Sequence, residues 1–215
     1  MHFDALKDAM FRRDAGLLLL VAAPFFFNDF LFLQTETALE WLAADYASKL
    51  LALVILFAIM PLRQAVTGTL VLPLAPWEAA VLAVACAALI IGADWLLRVP
   101  VDIEIAALKL FTYPKIDSVV LYRTDITFGL VLTAASEELV FRGAFARLMA
   151  PWFRGATAMI VASAALFALI HWSHGVTAIV VALVAGIVLM ALYRRTGSLL
   201  PAMAAHYLVN LWDFA

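Results

Sequence analysis

Seven continuous apolar runs, each close to the length that crosses a bilayer as a helix, constrain this chain more than any other feature. They fall at about 17–33, 47–61, 78–97, 126–149, 156–172, 177–193 and 199–212. None shows the apolar–polar alternation that a membrane β-barrel needs. The expected fold is therefore all-α, a polytopic helical membrane bundle of about seven transmembrane helices. An eighth span follows if the mixed segment 99–125 enters the membrane. Composition agrees: 67% of the 215 residues are hydrophobic and 14% charged, whereas soluble domains are nearer a half and a quarter.

The breaks between runs carry recognisable signals. Pro73 and Pro76 precede the third run, and Pro151 follows the fourth. Arg194, Arg195 and Gly197 form a tight basic turn after the sixth. Residues 34–45 read as an acidic loop holding Glu36, Glu40 and Asp45, with an interfacial helix around Trp41. In 99–125 the spacing of Ile103, Ala107, Leu110 and Phe111 predicts a short amphipathic helix on the membrane surface, ended by Pro114. A half-inserted helix is the competing reading. Asn28 and Asp29 lie at the far end of the first run. They either meet water at the interface or face a polar cavity. Ala178, Ala182 and Gly186 recur every fourth residue, a stripe that lets another helix approach closely.

Basic residues gather at Lys7, Arg12, Arg13, Arg63, Arg147, Arg154, Arg194 and Arg195, and acids on the opposite side of the span count. This places the N-terminus in the cytoplasm. The first run reads as a retained anchor. One structural domain is expected, with 1–125 as N-terminal spans and interfacial segment and 126–215 as the core that holds the motifs below. The single Cys86 excludes a disulfide framework, and a net charge of -2 carries no signal for a nucleic-acid partner.

Against this background Glu137, Glu138 and Arg142 stand out. Three charges within six residues sit inside an otherwise apolar span, where each costs at least about 2.5 kcal/mol. Glu138 and Arg142 are four apart and share a helix face, so they neutralise one another. Glu137 is turned away and has no partner in its own helix. Two later spans add polar groups at the same spacing: Phe167 with His171, and His206 with Asn210. Taken singly, each has a structural explanation as an ion-pair staple, an interfacial histidine or an interhelical hydrogen bond. Together, one unpaired carboxylate, two imidazoles and a carboxamide on three helices form an inventory for amide hydrolysis. Glu137 would act as a base toward water. His206 and Asn210 would donate to an oxyanion. His171 would hold the water or shuttle the proton.

The ordered trio Glu137-Glu138-x-x-x-Arg142, Phe167-x-x-x-His171 and His206-x-x-x-Asn210 resembles the CPBP (Abi) family. That family includes the CAAX prenyl endopeptidases and bacteriocin-processing proteins. The resemblance covers about 126–212. It implies an intramembrane glutamate-dependent endopeptidase in which Glu137, His171, His206 and Asn210 are catalytic and Glu138, Arg142 and Phe167 support them. It also implies a peptide or protein substrate within the lipid bilayer, no cofactor, and location in a bacterial cytoplasmic membrane. An older view of the family makes its Glu and His residues metal ligands. Glu137, His171 and His206 would then hold zinc. The non-enzymatic alternatives are a membrane scaffold, an immunity-type protein or a small transporter, the last disfavoured because no internal repeat is visible. His-Glu-x-x-His, paired aspartates and Gly-x-Ser-Gly are all missing, which excludes the other intramembrane protease chemistries.

Overall fold

A computed structural model describes residues 2–105 and 110–214, and the side chains of 6–97 and 110–214. The fold is all-α. Among the described residues eight helices follow in order: α1 His2–Phe32, α2 Ala38–Ala58, α3 Met60–Val66, α4 Pro76–Ile105, α5 Val119–Trp152, α6 Ala156–Leu169, α7 Val176–Thr196 and α8 Leu199–Phe214. Helices α1, α2, α5 and α7, together with the Pro76–Leu97 stretch of α4, are long and apolar enough to cross a membrane. Helix α6 is apolar and shorter, and α8 is likewise shorter than these spans, so the seven expected runs all appear as helices. The protein's outer surface is that of a membrane protein. Leu19, Phe27, Val54, Val81 and Val131 point outward along α1, α2, α4 and α5, where lipid replaces water.

Local chemistry sets several boundaries. Thr37 opens α2 with a reciprocal cap: its Oγ accepts from Glu40 N–H at 3.2 Å, and Glu40 Oε2 accepts from Thr37 N–H at 3.1 Å. Residues 38–45, expected as an acidic loop with an interfacial helix around Trp41, are thus the first two turns of α2. Gly197 closes α7 with φ +69°, and its N–H reaches the Tyr193 carbonyl at 2.8 Å. The prolines before α4 act as expected, with Pro76 as the first helical residue.

The segment after α4 departs from expectation. Helix α4 runs on to Ile105, and 110–117 carries no helix. Of the amphipathic residues, Ala107 lies outside the described residues. The N–H groups of Leu110 and Phe111 both reach the Ser173 carbonyl, at 2.9 and 3.0 Å. The segment therefore lies across the α6–α7 connection. The reason is Phe111 itself, which is buried and stacks on Phe32 at 5.2 Å. Helix α5 begins at Val119 rather than Ile126, with the Ser118 hydroxyl accepting from Leu121 N–H.

Helix α5 is the element around which the others assemble. It packs on α1, α2, α6 and α8. Helices α6 and α7 lie side by side because Gly186 permits it. A Cβ there would sit 2.8 Å from the Ala164 Cα and Cβ, closer than any side chain tolerates. The small-residue stripe thus has its partner in α6. The core is continuous, running from Val21 and Phe25 through Val140, Phe141 and Ala144 to Leu189, Met190 and Ala202.

Candidate active site

Glu137 and Glu138 end a stretch of regular α-helix within α5. The next six residues, Leu139–Ala144, form a π-helical turn. Such wide turns recur at functional sites. Here the Phe141 carbonyl accepts from Ser163 Oγ at 2.5 Å, which ties α5 to α6. Arg142, inside the wide turn, still reaches back one turn. Its Nη1 lies 3.0 Å from Glu138 Oε1, and both side chains are wholly buried. The pairing that spacing predicts is present.

Glu138 does more than neutralise Arg142. The same Oε1 lies 2.8 Å from His206 Nδ1, brought in by α8. A carboxylate paired with a guanidinium only accepts, so Nδ1 carries the proton and donates. This fixes the ring, and its other nitrogen, Nε2, faces Glu137 Oε2 at 3.7 Å. The carboxylate without a partner in its own helix thus meets an imidazole from another one. The chain Arg142–Glu138–His206–Glu137 crosses the α5–α8 interface.

Phe167 is the hub that packs this chain. The Arg142 guanidinium lies over its ring, 4.1 Å from the centroid. The His171, Phe141 and His206 rings meet it edge-on at 5.0, 5.5 and 5.9 Å. His171 is not on the helix. Helix α6 stops at Leu169, and His171 sits in the turn that follows. Its Nδ1 lies 3.1 Å from the Phe167 carbonyl. A carbonyl can only accept, so this nitrogen holds the hydrogen and Nε2 is left as an acceptor.

Glu137, His171, His206 and Asn210 all line one polar cavity of about 100 Å³. Its opposite wall comes from α1, α2 and the start of α5: Asn28, Asp29, Asp45, Lys49 and Asp125. Asp29 and Asn28 therefore face a cavity and not the interface. Asp45, expected in a loop, is buried and paired with Lys49 one turn on. Asp125 accepts from the Tyr46 hydroxyl at 2.9 Å. Sequence reading missed Lys49 and left Asp45 and Asp125 outside the site. The signal was available for the first two, since 45 and 49 are four apart, as 138 and 142 are. A second, more apolar cleft of about 560 Å³ between α4, α7 and α8 shares Tyr113, His171, His174, His206, Asn210 and Phe214 with the polar cavity. These six residues form the wall between the two.

Among the described residues, no three His, Cys, Asp or Glu side chains are gathered so that they could hold a metal ion. Glu137, His171 and His206 form no such group, although both rings hold Nδ1–H on an acceptor and turn Nε2 outward.

Residues 120–212 match the family model described as Rce1-like, type II CAAX prenyl endopeptidase Rce1-like. The segment holding all three motifs thus matches the CAAX protease (CPBP) family, and its apolar helices make the protein a multi-pass membrane protein. No curated protein and no solved structure matches the chain.

Proposed function

We propose that the protein is an intramembrane endopeptidase that hydrolyses a peptide bond of a membrane-associated protein or peptide with a water activated by Glu137. One observation carries this reading. Glu137 faces a histidine whose ring is fixed from behind by a buried carboxylate–guanidinium pair, on the wall of a polar cavity inside an apolar bundle.

The residues divide the work as follows. Glu137 takes a proton from water, and the hydroxide adds to the substrate carbonyl carbon. The Asn210 carboxamide donates to the resulting oxyanion. His206, its ring held on Glu138 through Nδ1–H, turns Nε2 toward Glu137 and assists at the oxyanion. The bare Nε2 of His171 accepts from the attacking water and orients it. Collapse of the intermediate breaks the C–N bond, and Glu137 returns its proton to the leaving amine. No covalent enzyme intermediate and no metal is needed. The substrate must enter extended, because a helix keeps its own amide groups paired. Residues 126–215 form the catalytic core within one domain. In this reading the protein sits in a bacterial cytoplasmic membrane, and the excess of basic residues on one side supports a cytoplasmic N-terminus.

The test is a comparison of membrane peptides in cells expressing the wild type or Glu137→Ala. A small membrane protein or peptide should accumulate uncut in the variant. The purified Glu137→Gln protein should cleave that substrate about 10²–10⁴-fold more slowly. If no cellular peptide differs between the two, the protein is a non-catalytic membrane scaffold.

A further inference from the structure

The hydrolysis above uses one wall of the polar cavity and leaves the other unexplained. That second wall presents the carboxyl groups of Asp29, Asp45 and Asp125 and the amide of Asn28, with Lys49 as the single ammonium. Lys49 is already committed to Asp45. Two wall groups lack partners among the described residues. Asn28, nine-tenths buried, turns Nδ2 toward Asp45 Oδ1 at 3.4 Å, and its Oδ1 finds no donor. Trp41, equally buried, has no acceptor for Nε1–H. A buried polar group without a partner costs about 1–3 kcal/mol, so such groups point to a ligand that completes them.

We infer that this wall is a subsite for a positively charged side chain, Lys or Arg, of the peptide substrate, close to the bond that is cut. The inference rests on the protease reading. Asn28 Oδ1 and the carboxylates are acceptors, which an ammonium or guanidinium matches with donors alone. Asp29 lies in the last turn of α1, with Asn28 just before it, where the helix dipole also favours a cation. Trp41 and Tyr113 flank the space with aromatic faces, against which cations are held. Trp41 Nε1–H is placed for a backbone carbonyl of the same peptide. A bare metal ion fits poorly. The carboxylates are tied to separate donors, with Asp29 accepting from Ser173 N–H at 3.2 Å and Asp125 from the Tyr46 hydroxyl. No compact oxygen cage forms among the described residues. In this low-dielectric setting the charge on the wall reaches across the cavity to a side chain.

The test uses the full-length protein in detergent micelles with a randomised peptide library, the cut sites being mapped by mass spectrometry. Lys and Arg should be enriched over norleucine about tenfold or more at one fixed position beside the cut. The Asp29→Asn/Asp125→Asn double variant should lose most of that preference. Calorimetric titration of the wild type with dodecylguanidinium needs no variant, and binding should be seen there and not with dodecyl sulfate. Cleavage without a basic preference, with no binding of dodecylguanidinium, overturns the subsite and leaves the protease reading standing. Binding that depends on Asp29, with no Glu137-dependent cleavage, sinks the protease reading and leaves the cation site. Displacement of dodecylguanidinium by micromolar Ca²⁺ overturns the inference in favour of an inorganic ion.

Discussion

His206 Nδ1 lies 2.8 Å from Glu138 Oε1, the same oxygen that Arg142 Nη1 approaches at 3.0 Å. One buried carboxylate therefore does two things. It balances a guanidinium from its own helix and orients an imidazole from another. The expectation that Glu138 and Arg142 form a closed internal pair is too narrow. The pair is a mount, and the ring it holds faces Glu137.

Arg142→Leu leaves Glu138 buried without its cation. Removing one partner of a buried ion pair costs about 3–5 kcal/mol. Thermal unfolding in micelles should show that loss. The Glu138→Leu/Arg142→Leu double variant should recover a large part of it, while His206, now without an acceptor, loses its fixed position and activity stays absent. If the double variant is no more stable than Arg142→Leu, the two side chains do not act as a pair.

Phe167→Ala removes the ring beneath the guanidinium and the edges against His171 and His206. A buried Phe→Ala change costs about 3–5 kcal/mol. Phe167→Leu keeps most of the volume and loses the cation–π contact, so a smaller cost, on the order of 1–2 kcal/mol, is expected. Equal stability of Phe167→Leu and the wild type would show that ring packing on Arg142 contributes nothing.

Asn210→Ala should lower kcat about 10²–10³-fold with little change in KM, as expected for a donor used only in the transition state. An effect confined to KM would assign Asn210 to substrate binding instead.

Gly186→Ala places a methyl group 2.8 Å from the Ala164 Cα. Helices α6 and α7 must separate, at a cost of about 1–3 kcal/mol. Adding Ala164→Gly should relieve part of this, and unfolding of the four proteins as a double-mutant cycle measures the coupling. Additive effects would mean that the two positions do not touch.

Gly129→Ala puts a Cβ into the space of Asp125 Oδ1 and the Tyr46 hydroxyl, and both side chains must shift. Tyr46→Phe deletes the Tyr46–Asp125 hydrogen bond without crowding and should cost only about 1 kcal/mol. Gly129→Ala should cost more, and a milder effect than that of Tyr46→Phe would place the methyl group in open space.

Much of the site was legible because helices repeat. Spacing alone put Arg142 opposite Glu138, set Phe167 beside His171 and left Glu137 unpaired. Other parts had local signals that were outweighed. The Thr37–Glu40 capping box announces a helix that starts at Ala38, so Asp45 shares a helix with Lys49 four residues on and does not lie in a loop before it. The π-helical turn at Leu139–Ala144 has no signal of this kind, since Leu, Val, Phe, Arg, Gly and Ala are all compatible with an ordinary helix. The course of 110–117 was misjudged for another reason. Its backbone donors are satisfied by Ser173, which no local pattern in 99–125 can reveal.

The sequence by itself determined an all-helical membrane bundle, its seven apolar runs, and which polar residues share a face within each helix. These follow from hydrophobicity and the 3.6-residue period, which are local. The tertiary structure decided what stands opposite what. His206 meets Glu138 across 68 residues of chain, and Asp29, Asp45 and Asp125 close the cavity that Glu137 opens onto. Such meetings depend on how each helix is rotated and shifted against its neighbours. Close approaches such as Gly186 on Ala164, and wide turns such as the one holding Arg142, fix that rotation, and no repeat along the chain encodes it.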